Sequence, residues 1–263
     1  MDTIHLSSSV GADADVTETI KGYIMNYSAA LRVPRTDTTA VRAMRNFDVA
    51  SLRADGSRSV SAFKAPALPL FESAFSAFAR GVNLTTPHGV VPIEDLQPGD
   101  WVNTSSGKPA QVIWIGSSNF VPADTGRRMP LVRVMADSFG PARPSSFLTV
   151  GPSARLMQTP PRLRGLTGGA PMLTPVSAFV DGVNVIEVTP PTPVRLFHIC
   201  LTRHAAVDVG GMMMETFHPG MSAIREVSHA QRDMFLSMFP HVSHITDFGP
   251  LAHPRANEAE LVN

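Results

Sequence analysis

Cysteine, large aromatic rings and charge are all scarce in this chain. Of its 263 residues, one is cysteine, two are tryptophan and two are tyrosine. The single thiol, Cys200, excludes an internal disulfide and a zinc ribbon, and so says nothing about redox compartment. Charged residues make up 17% of the sequence, below the usual quarter, and they balance at 22 basic and 22 acidic. Without net charge there is no field to draw in nucleic acid or an anionic membrane, and no run of Lys or Arg is long enough to suggest a local basic patch. The opening Met1-Asp2-Thr3-Ile4-His5 lacks the charged and apolar regions of a cleavable signal, and no stretch approaches the ~18 apolar residues of a membrane span. The expectation is a soluble protein, cytoplasmic or exported by a signal-independent route, that binds neither nucleic acid nor membrane.

What the chain does have is apolar content and turn chemistry. Hydrophobic residues account for 43%, enough for one sizeable core or two modest ones, while 23 prolines and 19 glycines demand many turns. That combination suits a mainly β architecture. Short apolar runs bounded by Gly and Pro recur at Gly99–Val102, Val112–Gly116, Leu131–Val134, Phe147–Val150, Val183–Val188 and Val194–Leu201. No helix-length periodic segment interrupts them, which excludes a parallel sheet built from βαβ units.

Three parts are predicted. Residues 1–70 form a leader of a helix plus a hairpin. Val16, Ile20, Tyr23, Ile24, Tyr27 and Leu31 recur at helical spacing behind an Asp15/Glu18 capping box, with Pro34 closing the run. Phe47, Val49, Val60 and Ala62 then flank an Ala54-Asp55-Gly56 turn. After the stiff Ala65-Pro66-Ala67-Leu68-Pro69 connector, Phe71, Ala74, Phe75 and Phe78 fall on one face of a short helix, which would carry Ser76 as well. Residues 71–220 form a β domain. Residues 221–263 supply a helix, capped by Ser228 with Gln231 and carrying Met234, Phe235, Met238 and Phe239 up to Pro240, and a polar tail expected to fray from about His253.

The β part carries a resemblance that its composition does not. Ala77-Phe78-Ala79-Arg80-Gly81-Val82 with Thr86-Pro87-His88-Gly89 through Gln97-Pro98-Gly99-Asp100 resembles the opening of a Hint (Hedgehog/intein) domain of the bacterial kind. Trp114-Ile115-Gly116, Ala136–Pro141, Leu173–Gly182, His198–His204 and Glu215-Thr216-Phe217-His218-Pro219-Gly220 are similar to later family segments in the same order. The resemblance implies a horseshoe-like β fold with short flanking helices. It also implies self-processing chemistry, in which a cysteine thiol attacks the carbonyl of the preceding residue to form a thioester.

At the positions that would perform this chemistry the chain departs from the family. Ala77 stands where the family has its cysteine, Gly151 where it has Ser or Thr, and Ala154 where a histidine assists breakdown of the amide. The reaction needs an activated nucleophile and an acid for the leaving nitrogen. No catalytic residue is therefore expected at the aligned positions, and no cofactor or metal. Ser76, Cys200 and His204 are the possible substitutes, each with a plain structural alternative: a helix or loop serine, a packed thiol, a hydrogen-bonded imidazole. His241-x-x-His244 has ligand-like spacing but no third ligand. Met212-Met213-Met214 would fill core gaps if buried or form a pliable partner surface if exposed. The functional expectation is a Hint-fold protein with a degenerate site, acting as a protein-interaction or structural module; the alternative is self-processing through a non-standard nucleophile.

Overall fold

The computed structural model describes residues 43–121, 130–220 and 222–256, so the helix expected over Val16–Leu31 lies outside the described residues. The hairpin is present: β1 (Met44–Leu52) pairs antiparallel with β2 (Arg58–Pro66), Phe47 opposite Phe63. Its turn closes with Gly56 at φ +80° and with Asp55 Oδ1 accepting the Ser57 N–H at 2.9 Å. A left-handed glycine ending a three-residue loop matches the right-handed twist of the flanking strands.

Thirteen more strands follow: β3 (Phe78–Ala79), β4 (Asn83–Thr86), β5 (Gly89–Pro92), β6 (Trp101–Val102), β7 (Ala110–Phe120), β8 (Leu131–Val134), β9 (Leu148–Val150), β10 (Arg155–Met157), β11 (Leu173–Pro175), β12 (Val185–Val188), β13 (Val194–Leu201), β14 (Ala206–Val209) and β15 (Met212–Glu215). They form two antiparallel sheets. One runs β12-β8-β9-β3-β13-β7-β1-β2 with β6 added to β7, and the other runs β11-β10-β15-β14-β4-β5. The mainly β expectation holds. The hairpin is not separate from it, because β1 is hydrogen-bonded to β7 from Phe47–Ser118 to Ser51–Trp114.

The two largest apolar clusters among the described residues stabilise the body. The first lies among the strands and includes Phe78, Leu84, Ile93, Val112, Val150, Ile199, Val207 and Met214. The second joins the hairpin and the chain's flanking helices through Phe47, Phe71, Phe75, Trp114, Phe217, Phe235 and Phe239. Trp114 anchors it, stacking on Phe239 at 4.5 Å between centroids while its Nε1–H donates to Met238 O at 2.7 Å. Gly116, two residues along β7, is glycine for this reason: a Cβ there would lie 2.2 Å from Trp114 Cη2 and 2.6 Å from the Phe75 ring. Each fully buried ring of this kind contributes about 1.5–3 kcal/mol by removal from water.

The helix His229–Leu236 starts at the predicted capping box, with Gln231 N–H donating to Ser228 Oγ and Ser228 N–H donating to Gln231 Oε1. Its Phe235 is buried, as are Met238 and Phe239 just beyond it, while Met234 faces out. Met212 and Met214 are buried on β15, which is the gap-filling alternative. The helix before the β domain is shorter than the phenylalanine stripe suggests. It spans Pro69–Ser73, and Phe78 belongs to β3, because the Ala77 N–H is drawn to Phe197 O at 3.0 Å and Phe78 pairs with Phe197 and Val150. Two runs are shorter at one end than their apolar patterns suggest: Phe147 and Val183 are exposed just outside β9 and β12. Among the described residues no helix is long and apolar enough to cross a membrane.

Candidate functional site

The peptide between Ser76 and Ala77 lies where β3 begins, and the segment after β9 is folded onto it. Gly151 N–H donates to Ala77 O at 2.8 Å, Ser153 N–H to Ser76 O at 3.3 Å, and Ala154 N–H back to Gly151 O at 3.1 Å. The aligned positions 77, 151 and 154 are thus brought together, with Ala77 and Ala154 buried in the same apolar cluster. Their methyl groups supply neither nucleophile nor acid. The amide nitrogen that would have to leave, Ala77 N, donates into the sheet at Phe197 O.

Gly151 has a specific structural reason. An ideal Cβ at 151 would lie 2.0 Å from Ser76 O and 2.8 Å from Ser76 C, both backbone atoms. Real Cβ contacts essentially never come that close. The space that a Ser or Thr side chain would need is filled by the carbonyl of the residue preceding the candidate scissile bond.

Ser76 is not on a helix, contrary to the sequence expectation, because the helix ends at Ser73. Its buried hydroxyl donates to Ser153 Oγ at 3.2 Å, and the carbonyl before it, Phe75 O, accepts from Ser118 Oγ at 3.3 Å. The proton of Ser76 therefore points at another hydroxyl and not at a base. A general base must reach the proton that it removes. His198, the imidazole on β13, is packed edge-on against Phe78 and Phe217, and burial holds its pKa down to about 3.

Cys200 does not join this group. It sits in the second cluster with Trp114 and Phe217, and burial pushes its thiol up, away from the reactive thiolate. His241, whose pKa burial lowers to about 4, lies against Phe239 and Phe248. Among the described residues no group of three or more His, Cys, Asp or Glu is arranged to hold a metal ion.

His204 belongs to a second polar cluster at the far end of β15. Its Nε2 contacts Glu215 Oε1 at 3.0 Å and its Nδ1 accepts the Ala252 N–H at 2.9 Å, which places the imidazole proton on Nε2. Arg255 Nε donates to the same Glu215 oxygen at 2.8 Å, and Arg155 Nε lies 3.7 Å from the other. Burial by itself would raise the Glu215 carboxyl, but the His204 hydrogen bond and the Arg255 charge outweigh it and hold the group below its usual range. Ala252 and Arg255 are accordingly tied to the body, where the sequence reading has the chain fraying from about His253. Ser153, Ser118, Glu215 and Arg255 were missed as site residues. Glu215, as the first residue of a recognised segment, and Ser153, between the aligned positions 151 and 154, carried a signal, while Arg255 lies in a tail whose partners are all distant in sequence.

No curated protein matches the chain. Among solved structures it is similar to the MchDnaB-1 intein, at 16% identity over 54% of this chain and 100% of that one, with a TM-score of 0.36. It is also similar to a bacterial intein-like domain from Clostridium thermocellum, at 12% identity over 54% of this chain and 99% of that one, TM-score 0.35. A third likeness is to the Msm DnaB1 intein splicing domain bound with zinc, at 17% identity over 54% and 100%, TM-score 0.31. The Hint domain family model matches residues 76–221, more than half of the chain and the span from Ser76 to the residue after Gly220. The chain belongs to the Hint domain family.

Proposed function

We propose that this Hint domain leaves the Ser76–Ala77 bond intact and serves as a protein-contact or structural module. The observation that carries the reading is the closure of position 151: the Ser76 carbonyl fills the space where a hydroxyl-bearing side chain would stand. Ala77 and Ala154 add to it, since they bring no thiol and no imidazole to the same peptide. Loss of a nucleophile from groups that act as a unit costs on the order of a millionfold in turnover. The test is the intact mass of the purified chain after days at neutral pH with excess dithiothreitol, which captures thioesters and many esters. A single species at 28.2 kDa is expected. Fragments divided between residues 76 and 77 would overturn the proposal.

One observation favours a second reading, self-processing begun by Ser76. Its hydroxyl is next in line to the Phe75 carbonyl, which Ser118 already polarises. Fragments divided between residues 75 and 76, and lost on Ser76→Ala, would select that reading.

A further inference from the structure

We propose that the edge of β11 covered by the tail is a docking site for a protein partner, fitted to an extended segment in which arginine is followed by a small apolar residue, and that the chain's own residues 249–256 occupy it in cis. The inference rests on the contact-module reading and specifies the partner's chemistry.

β11 ends the second sheet, and the tail meets this edge through an isolated parallel bridge between Arg255 and Leu173. Leu173 N–H donates to Pro254 O at 2.8 Å and Ala256 N–H donates to Leu173 O at 3.0 Å, one bond on each side of Arg255. Two further contacts also engage the tail's main chain: Ala252 N–H to His204 Nδ1 at 2.9 Å, and His218 Nε2 to Gly249 O at 3.0 Å. Main-chain bonds of this kind hold an extended peptide whatever its sequence, and pockets for alternate side chains supply the selectivity.

Two such pockets are built. The first is polar: Arg255 gives Nε to Glu215 Oε1 and Nη2 to His218 O at 2.7 Å, and Glu215 is buried, at 3% side-chain exposure. Gly220, in the left-handed region at φ +69°, borders this seat, and a Cβ there would lie 2.9 Å from Arg255 Nη1. The second is apolar and small: Ala256 is buried with Leu163 and Met172. Around them His204 and Arg155 also face Glu215, so its carboxylate keeps partners when Arg255 leaves and the pocket survives an exchange of occupants. Ser105 Oγ also lies 3.2 Å from His253 Nε2. A guanidinium is favoured over an ammonium because the pocket presents one carboxylate and one carbonyl to a forked donor.

The experiment uses the full-length chain and a fluorescein-labelled peptide, Gly-Pro-Leu-Ala-His-Pro-Arg-Ala, read by fluorescence anisotropy. A tethered tail competes at an effective concentration on the order of millimolar. The Arg255→Ala chain, whose own tail no longer fills the carboxylate pocket, should bind the peptide at least tenfold more tightly than the unaltered chain. Norleucine for arginine, or leucine for the last alanine, should each weaken binding at least tenfold. Adding Glu215→Gln to Arg255→Ala should abolish it. Where that double variant loses its far-UV spectrum, the norleucine and leucine peptides on the Arg255→Ala chain carry the test, since they leave the protein itself unchanged. Absence of binding to a folded Arg255→Ala chain, or equal binding of the arginine and norleucine peptides, would overturn the proposal. So would a dimer of the unaltered chain that exchanges labelled tails, since the occupant would then be a second copy. Failure of the docking site leaves an uncleaved chain uncleaved, and cleavage in the mass assay leaves peptide binding unaltered, so the two proposals fail separately.

Discussion

Gly151→Ala adds one methyl group and should destabilise the domain out of proportion to its size. The backbone at Gly151 does not have positive φ, so alanine is conformationally allowed and would gain about 0.4–1 kcal/mol by restricting the unfolded chain. Against this, the new Cβ would meet Ser76 O at 2.0 Å and Ser76 C at 2.8 Å. Leu196 Cδ1, at 3.1 Å, can rotate away, but a backbone carbonyl held between β3 and the 151–154 turn cannot. Overpacking of this sort costs about 1–3 kcal/mol. Moving the peptide also strains two hydrogen bonds, Gly151 N–H to Ala77 O and Ser153 N–H to Ser76 O, each worth about 1 kcal/mol. The net loss is about 3 kcal/mol, which for a body of this size lowers Tm by about 6–12 °C. Differential scanning calorimetry of the two proteins side by side measures it. A Tm within 2 °C of the unaltered chain would show, roughly, that the 76–77 peptide yields freely, and would refute the claim that position 151 is closed.

Two other outcomes follow from buried groups. The Glu215 carboxyl titrates lower in the folded chain than its ordinary 4.5, so its stabilisation is fully present above that pH and is lost as pH falls through the folded value. Urea midpoints should therefore drop on the acid side in the unaltered chain and drop less steeply in Glu215→Gln; parallel acid limbs would exclude this carboxylate as a source. Cys200 should resist Ellman's reagent at pH 8 in the folded chain and react fully in denaturant, because burial disfavours its thiolate. Rapid labelling under native conditions would contradict its placement beside Trp114.

Local chemistry made much of this architecture legible in the sequence. The Ser228/Gln231 capping box, the Asp55-Gly56 turn and the runs at Leu131–Val134 and Val194–Leu201 each depend on residues a few positions apart, and each has the predicted form. The mainly β class follows from them, and the order of the recognised segments points to the family whose model matches the chain. Only the tertiary structure decided where the helix before β3 stops, since Phe197 and Val150 lie far along the chain from Phe78 and their strand pairing overrides its helical spacing. The same holds for Gly151, which in sequence is only a missing hydroxyl. In the folded chain it is the space that a carbonyl 75 residues earlier requires. Arg255 shows the limit most plainly. An arginine in a polar tail carries no local signal, and its seat exists because β11 and the Glu215–Gly220 segment, tens of residues apart in the sequence, converge around one buried carboxylate.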